Sequence, residues 1–150
     1  MKKIKGDRSM EWLVLEGKQN GFEQCAALRQ AVFIEEQHFQ QEFDAMDDYC
    51  LHFLIRNDGI PAATARAWEK EPGHWIIGRV AVSRSLRGRH LGQQLMNQVI
   101  SELKQRGAKM VELSAQCQAE GFYQKLGFIS TGQQHMDEHC PHVTMIKTLP

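Results

Sequence analysis

The chain has 150 residues, 42% apolar and 24% charged, with 18 Lys plus Arg against 18 Asp plus Glu. This length supports one domain, residues 1–150, with a sizeable core, and the balanced charge speaks against a nucleic-acid partner, which calls for a basic face. The basic opening MKKIKGDRS has no apolar run behind it of signal-peptide length, and no segment approaches a membrane span, so no membrane association is expected.

Residues 1–10 read as a loose tail, and residues 11–17, EWLVLEG, as a short strand closed by glycine. Phe22, Cys25, Ala26, Val32 and Phe33 recur at helical spacing, which predicts a helix from Phe22 to about Gln37. A polar loop with several carboxylates follows. YCLHFLIR and IPAATARAWE flank Asn57-Asp58-Gly59, a hairpin signal because Asp-Gly suits a primed turn.

Residues 74–83, HWIIGRVAVS, form a long apolar strand fit for the centre of a sheet. Leu91, Leu95, Met96, Val99, Ile100 and Leu103 then trace one face of a helix that stops at Arg106-Gly107. KMVELSA is a further strand, EGFYQKLGF a short helix ended by Gly127, and HVTMIKTL a closing strand. A strand–helix–strand unit among antiparallel strands predicts an α/β domain with a mixed sheet. Cys25, Cys50, Cys117 and Cys140 are scattered without paired spacing, which suits a reducing cytoplasm better than a disulfide framework.

Between the fourth strand and its helix lies Arg87-Gly88-Arg89-His90-Leu91-Gly92. A helix N-terminus after a central strand presents unpaired amides and a partial positive charge, an anion site. The arginines add full charges, and the glycines let backbone approach a ligand closely. Neither a Gly-x-x-x-x-Gly-Lys-Ser/Thr nor a Gly-x-Gly-x-x-Gly pattern is present, so nucleoside triphosphatase and dinucleotide folds are not expected.

This stretch resembles the pyrophosphate loop, Gln/Arg-x-x-Gly-x-Gly/Ala, of the GNAT superfamily of acyl-CoA N-acyltransferases. The middle glycine of that pattern is His90 here. After the next strand, Gln116-Cys117-Gln118-Ala119-Glu120-Gly121-Phe122-Tyr123-Gln124-Lys125-Leu126-Gly127-Phe128 resembles the superfamily's second motif, with Gln116 at its usual asparagine. RQAVFIEEQ, Asp44, Asp47, His52, ATAR and the closing PHVTM resemble a bacterial subgroup of small acetyltransferases.

The resemblance implies a GNAT-like α/β domain with a mixed sheet of about six to seven strands and about four helices. It also implies acetyl-CoA as acyl donor and a small-molecule or peptide amine as acceptor. Val80, Ala81 and Val82 would lend backbone groups to the pantetheine arm, and an N–H near Val82 would meet the oxyanion. Arg87, Gly88, Arg89, His90, Leu91 and Gly92 would hold the pyrophosphate, with Ala115, Gln116 and Tyr123 completing the coenzyme A contacts.

Acyl transfer to an amine needs a base, an oxyanion donor and an acid for the thiolate. Tyr123 stands at the superfamily's acid position, with Phe122 turned to the core. His142 and Glu36 are candidate bases, as are Asp44 and Asp47 in the acidic loop. HMDEHCPH, with His135, His139, Cys140 and His142, has histidines at i and i+4, but Pro141 and the expected strand break the geometry, and no metal is expected. A homodimer is a reasonable default. The rival reading is an acyl-CoA-binding module without turnover.

Overall fold

A computed structural model describes residues 2–5 and 10–150. The strands are β1 (Lys2–Lys5), β2 (Met10–Glu16), β3 (Leu51–Asn57), β4 (Ile60–Glu71), β5 (His74–Val82), β6 (Met110–Gln116), β7 (Ile129–Asp137) and β8 (Cys140–Thr148). The α-helices are α1 (Phe22–Arg29), α2 (Leu91–Gln105) and α3 (Glu120–Lys125). The hydrogen-bonded order of strands is β1-β2-β3-β4-β5-β6-β8-β7, with β5 and β6 parallel and the other registered pairs antiparallel. This is the mixed α/β sheet expected, with eight strands among the described residues.

The chain divides into two compact units, Met1–Trp68 with Arg79–Val99, and Glu69–Gly78 with Ile100–Pro150. In the first, β3 runs between β2 and β4 and is buried throughout residues 51–55. Leu13, Leu15, Cys25, Leu28 and Leu54 form one apolar cluster, with Phe22 packed against it. The β3–β4 turn carries Asp58 at φ +51° and Gly59 at φ +79°, the two left-handed residues that a primed turn requires. In the second unit β6 lies between β5 and β8, with Val111, Leu113 and Ala115 buried on alternate positions.

Three expectations are corrected. Lys2–Lys5, read as loose tail, pairs with β2 from Lys2↔Val14 to Lys5↔Glu11, since an open strand edge offers backbone partners whatever the side chains; residues 1 and 6–9 of that tail lie outside the described residues. The helix predicted from Phe22 is α-helical only to Arg29, and Gln30–Glu36 widen into a π-helix. The second strand of the closing hairpin was foreseen, but β7 was not. Its nine residues face mostly outward, so no apolar alternation marks them.

Candidate active site

In the first unit the basic loop joins β5 to α2. Ser83 donates its N–H to Ala62 O at 2.8 Å, closing the end of β5, and a 3-10 turn spans Arg84–Leu86. Gly88 and His90 then take left-handed backbone, at φ +82° and +60°. Gln94 N–H donates to His90 O at 3.1 Å. The amides of Leu91, Gly92 and Gln93 therefore precede the first intrahelical bond of α2. His90 sits where the loop motif has its middle glycine, and its φ gives the reason for that glycine: a left-handed residue is needed there. His90→Gly should raise stability by about 0.5 kcal/mol, the left-handed cost relieved less the added chain entropy. Thermal unfolding would read a rise of about 1–2 °C.

Arg87 is braced by the protein on both edges of its guanidinium. Nε donates to Val82 O at 3.2 Å, and the two terminal nitrogens donate to Glu36 Oε2 and Oε1 at 2.6 and 2.8 Å. The bidentate pair lowers the Glu36 pKa and raises that of Arg87, chiefly through these hydrogen bonds. Glu36, a candidate base, is thus held ionised at the end of the π-helix, 51 residues from its partner.

The acidic loop is engaged by arginines. Arg29, almost wholly buried, donates from Nε to Glu42 Oε2 at 2.8 Å and from its terminal nitrogens to both oxygens of Asp47 at 2.8 and 3.1 Å. Arg66 reaches Asp44 Oδ1 and Oδ2 at 2.7 and 2.9 Å and Asp47 Oδ1 at 2.9 Å. Neither aspartate is an unencumbered base. Buried His52 donates from Nε2 to Asp47 O at 2.9 Å, and burial lowers its pKa. Sequence reading missed Arg29, Glu42, Arg66 and Arg79 as a set. The available signal was an arginine inside each of the apolar runs AATARAW and IIGRVAV, since a charge there needs a partner.

The Arg66 hydrogen bonds, outweighing desolvation, bring the Asp44 pKa from 3.8 to about 2. A depressed carboxylate stabilises the fold above its unfolded pKa, and that contribution is lost as pH falls from about 5 to 2. Its side chain is 42% exposed, so solvent screening leaves roughly 1 kcal/mol of this contribution. Urea unfolding between pH 6 and 2.5 should show a shallower pH slope for Asp44→Asn than for the parent chain.

In the second unit, the β6–β8 register sets Gln116 opposite His142 and Ala115 opposite Val143, and β7 sets His135 opposite His142. His142 Nδ1 lies 2.9 Å from Cys140 O. A carbonyl only accepts, so Nδ1 donates its N–H to it. His135 stacks on that ring at 5.7 Å, and its Nε2 is 2.8 Å from Ser114 Oγ. Tyr123, on α3 shortly after β6, is buried, and burial alone pushes its pKa up. Phe122 is 37% exposed rather than in the core, because only one of two adjacent positions on a helix of six residues can face inward. Among the described residues no group of three His, Cys, Asp or Glu could hold a metal ion, and no helix is long and apolar enough to cross a membrane.

Comparison with known proteins agrees with this architecture. Residues 18–149 match the family model of the acetyltransferase (GNAT) domain. The chain is 33% identical to protein ElaA of Escherichia coli over 148 residues, 92% of this chain and 96% of that one. It is 34% identical to the uncharacterized protein YyaT of Bacillus subtilis over 128 residues, 81% and 85% of the two chains. The crystal structure of ElaA superimposes with a TM-score of 0.83 at 31% identity, covering 92% of this chain and 99% of that one. That of an acyl-CoA N-acyltransferase from Pseudomonas aeruginosa also gives 0.83, at 27% identity, covering 93% and 100%. The chain belongs to the GNAT acetyltransferase family, whose members carry out acyl transfer from acyl-CoA.

Proposed function

We propose that this protein transfers an acetyl group from acetyl-CoA to a primary amine of a small molecule or peptide, by direct attack on the thioester. The observation that carries the reading is the basic loop with Gly88 and His90 in left-handed backbone, leading from the end of β5 into the first amides of α2. Amides and dipole at a helix start suit a diphosphate. With Arg87 braced on Glu36 and Val82, the loop amides of residues 88–92 and the Arg89 side chain bear most of the contact, and Arg87 fixes the loop's shape.

Val80, Ala81 and Val82 lend backbone groups to the pantetheine arm and an N–H to the oxyanion. His142, its Nδ1–H directed at Cys140 O, takes the ammonium proton, and Tyr123 gives a proton to the departing thiolate. Burial keeps the phenol protonated at neutral pH, the form in which an acid enters turnover. A relay through Cys25 or Cys50 is disfavoured, since burial pushes both thiols up to about 11 and leaves little thiolate at neutral pH. The free cysteines suit a reducing compartment. Calorimetry of the whole chain with coenzyme A, followed by thiol release from acetyl-CoA across a panel of amines, tests the reading. Binding with amine-dependent turnover supports it. Binding without turnover for any amine points to a sensing module, and no binding at millimolar coenzyme A removes the reading.

A further inference from the structure

In the middle of β5, Arg79 takes left-handed backbone at φ +53°. A left-handed residue with a Cβ costs about 1–2 kcal/mol, and such outliers persist only where their surroundings over-determine them. The neighbouring Gly78 could adopt this conformation without that cost, yet it is not among the residues with positive φ. The kink falls on the arginine, so backbone freedom does not decide where it sits.

The side chain does. Arg79 Nε lies 3.0 Å from both Glu42 O and Glu42 Oε2, and a terminal nitrogen lies 3.4 Å from Asp44 Oδ2. Glu42 is in turn held by Arg29 Nε and Asp44 by Arg66, both within the buried network of the first unit. The clasp therefore ties one point of β5 to a rigid anchor 35 to 37 residues earlier in the chain. A single left-handed residue bends a strand and rotates the peptide planes that follow it. Those planes belong to Val80, Ala81 and Val82.

We propose that Arg79 is a positioning residue: its clasp on Glu42 and Asp44 holds β5 kinked, and the kink aims the backbone groups of Val80–Val82 at the pantetheine arm and thioester of acyl-CoA. This rests on the acyl-CoA reading above. Arg79 acts through the backbone it holds and not by touching substrate.

The test measures two ligands by calorimetry: coenzyme A, and adenosine 3′,5′-bisphosphate, which lacks the pantetheine arm. Arg79→Gly removes the clasp while permitting the same φ. Its Kd for coenzyme A should rise about tenfold and its KM for acetyl-CoA similarly, with the Kd for the bisphosphate and the KM for the amine unchanged. Arg79→Lys, which keeps the charge but not the fork, should lose about threefold for coenzyme A alone. Equal binding of coenzyme A by the parent and a folded Arg79→Gly chain overturns the proposal, as does equal weakening of both ligands. If Arg79→Gly fails to fold, Arg79→Lys decides: a selective loss upholds the proposal and an unchanged ratio of the two affinities overturns it. A parent chain that binds no coenzyme A overturns the acyl-CoA reading, an outcome distinct from both.

Discussion

Arg29→Ala is expected to destabilise the fold by about 3–5 kcal/mol, because it strands buried carboxylates that the guanidinium now neutralises. Asp47 accepts two bonds from Arg29 and the Glu42 carboxylate accepts another, and all three side chains are almost completely buried. Arg66 and Arg79 still face these carboxylates, which holds the loss within that range. For a chain of this size the thermal midpoint should fall on the order of 10 °C. Adding Asp47→Asn to Arg29→Ala should recover part of the loss, since the second change removes the stranded charge. A double-mutant cycle by urea unfolding measures that coupling. A loss under 1 kcal/mol in the single variant would mean that the network contributes nothing to stability beyond its packing.

Tyr123→Phe should lower kcat about 100-fold with KM for acetyl-CoA within about twofold, the pattern of a group that acts on the leaving sulfur in the transition state. Thiol release under saturating amine reads this directly. The phenol's pKa is raised by burial alone, so Tyr123 keeps its proton at every pH up to 10, and kcat should show no alkaline decline from this residue in that range. The same shift has a stability consequence. A raised folded pKa stabilises the chain below the unfolded value near 10, and the contribution is lost as pH climbs above it. An unchanged kcat in a folded Tyr123→Phe chain would move the acid role elsewhere.

The elements that sequence reading recovered share a local cause. The β3–β4 turn needed two left-handed residues in a row, and Asp58-Gly59 announce that need without reference to any distant residue. The apolar face of α2 and its glycine stop are likewise written within one segment: Ala108 N–H donates to Leu103 O at 2.9 Å, and Gly107 carries φ +93°. The loop at residues 87–92 was legible as a turn into a helix because glycine and a helix start coincide in six residues, and α2 does begin at Leu91.

What stayed hidden depended on partners far along the chain. Seven residues of apolar spacing do not separate a 3.6-residue turn from the wider one at Gln30–Glu36, and that widened segment ends on Glu36. In the sequence alone, Glu36 reads as a candidate base. Only the fold brings Arg87 to it, with 51 residues between them. Asp44 and Asp47 similarly read as candidate bases until Arg29 and Arg66 arrive from other elements.

The sequence by itself determined the order of strand, basic loop and helix, because each follows from stereochemistry and spacing within a few neighbouring residues, and its two motifs were enough to mark the resemblance to the family. The tertiary structure alone decided which carboxylates are consumed by arginines, where β5 kinks, and which backbone carbonyl holds His142. Those outcomes depend on ångström-scale distances, mostly between residues remote in sequence, and hydrogen bonds and ion pairs are sensitive to those distances in a way that local patterns of amino acids do not encode.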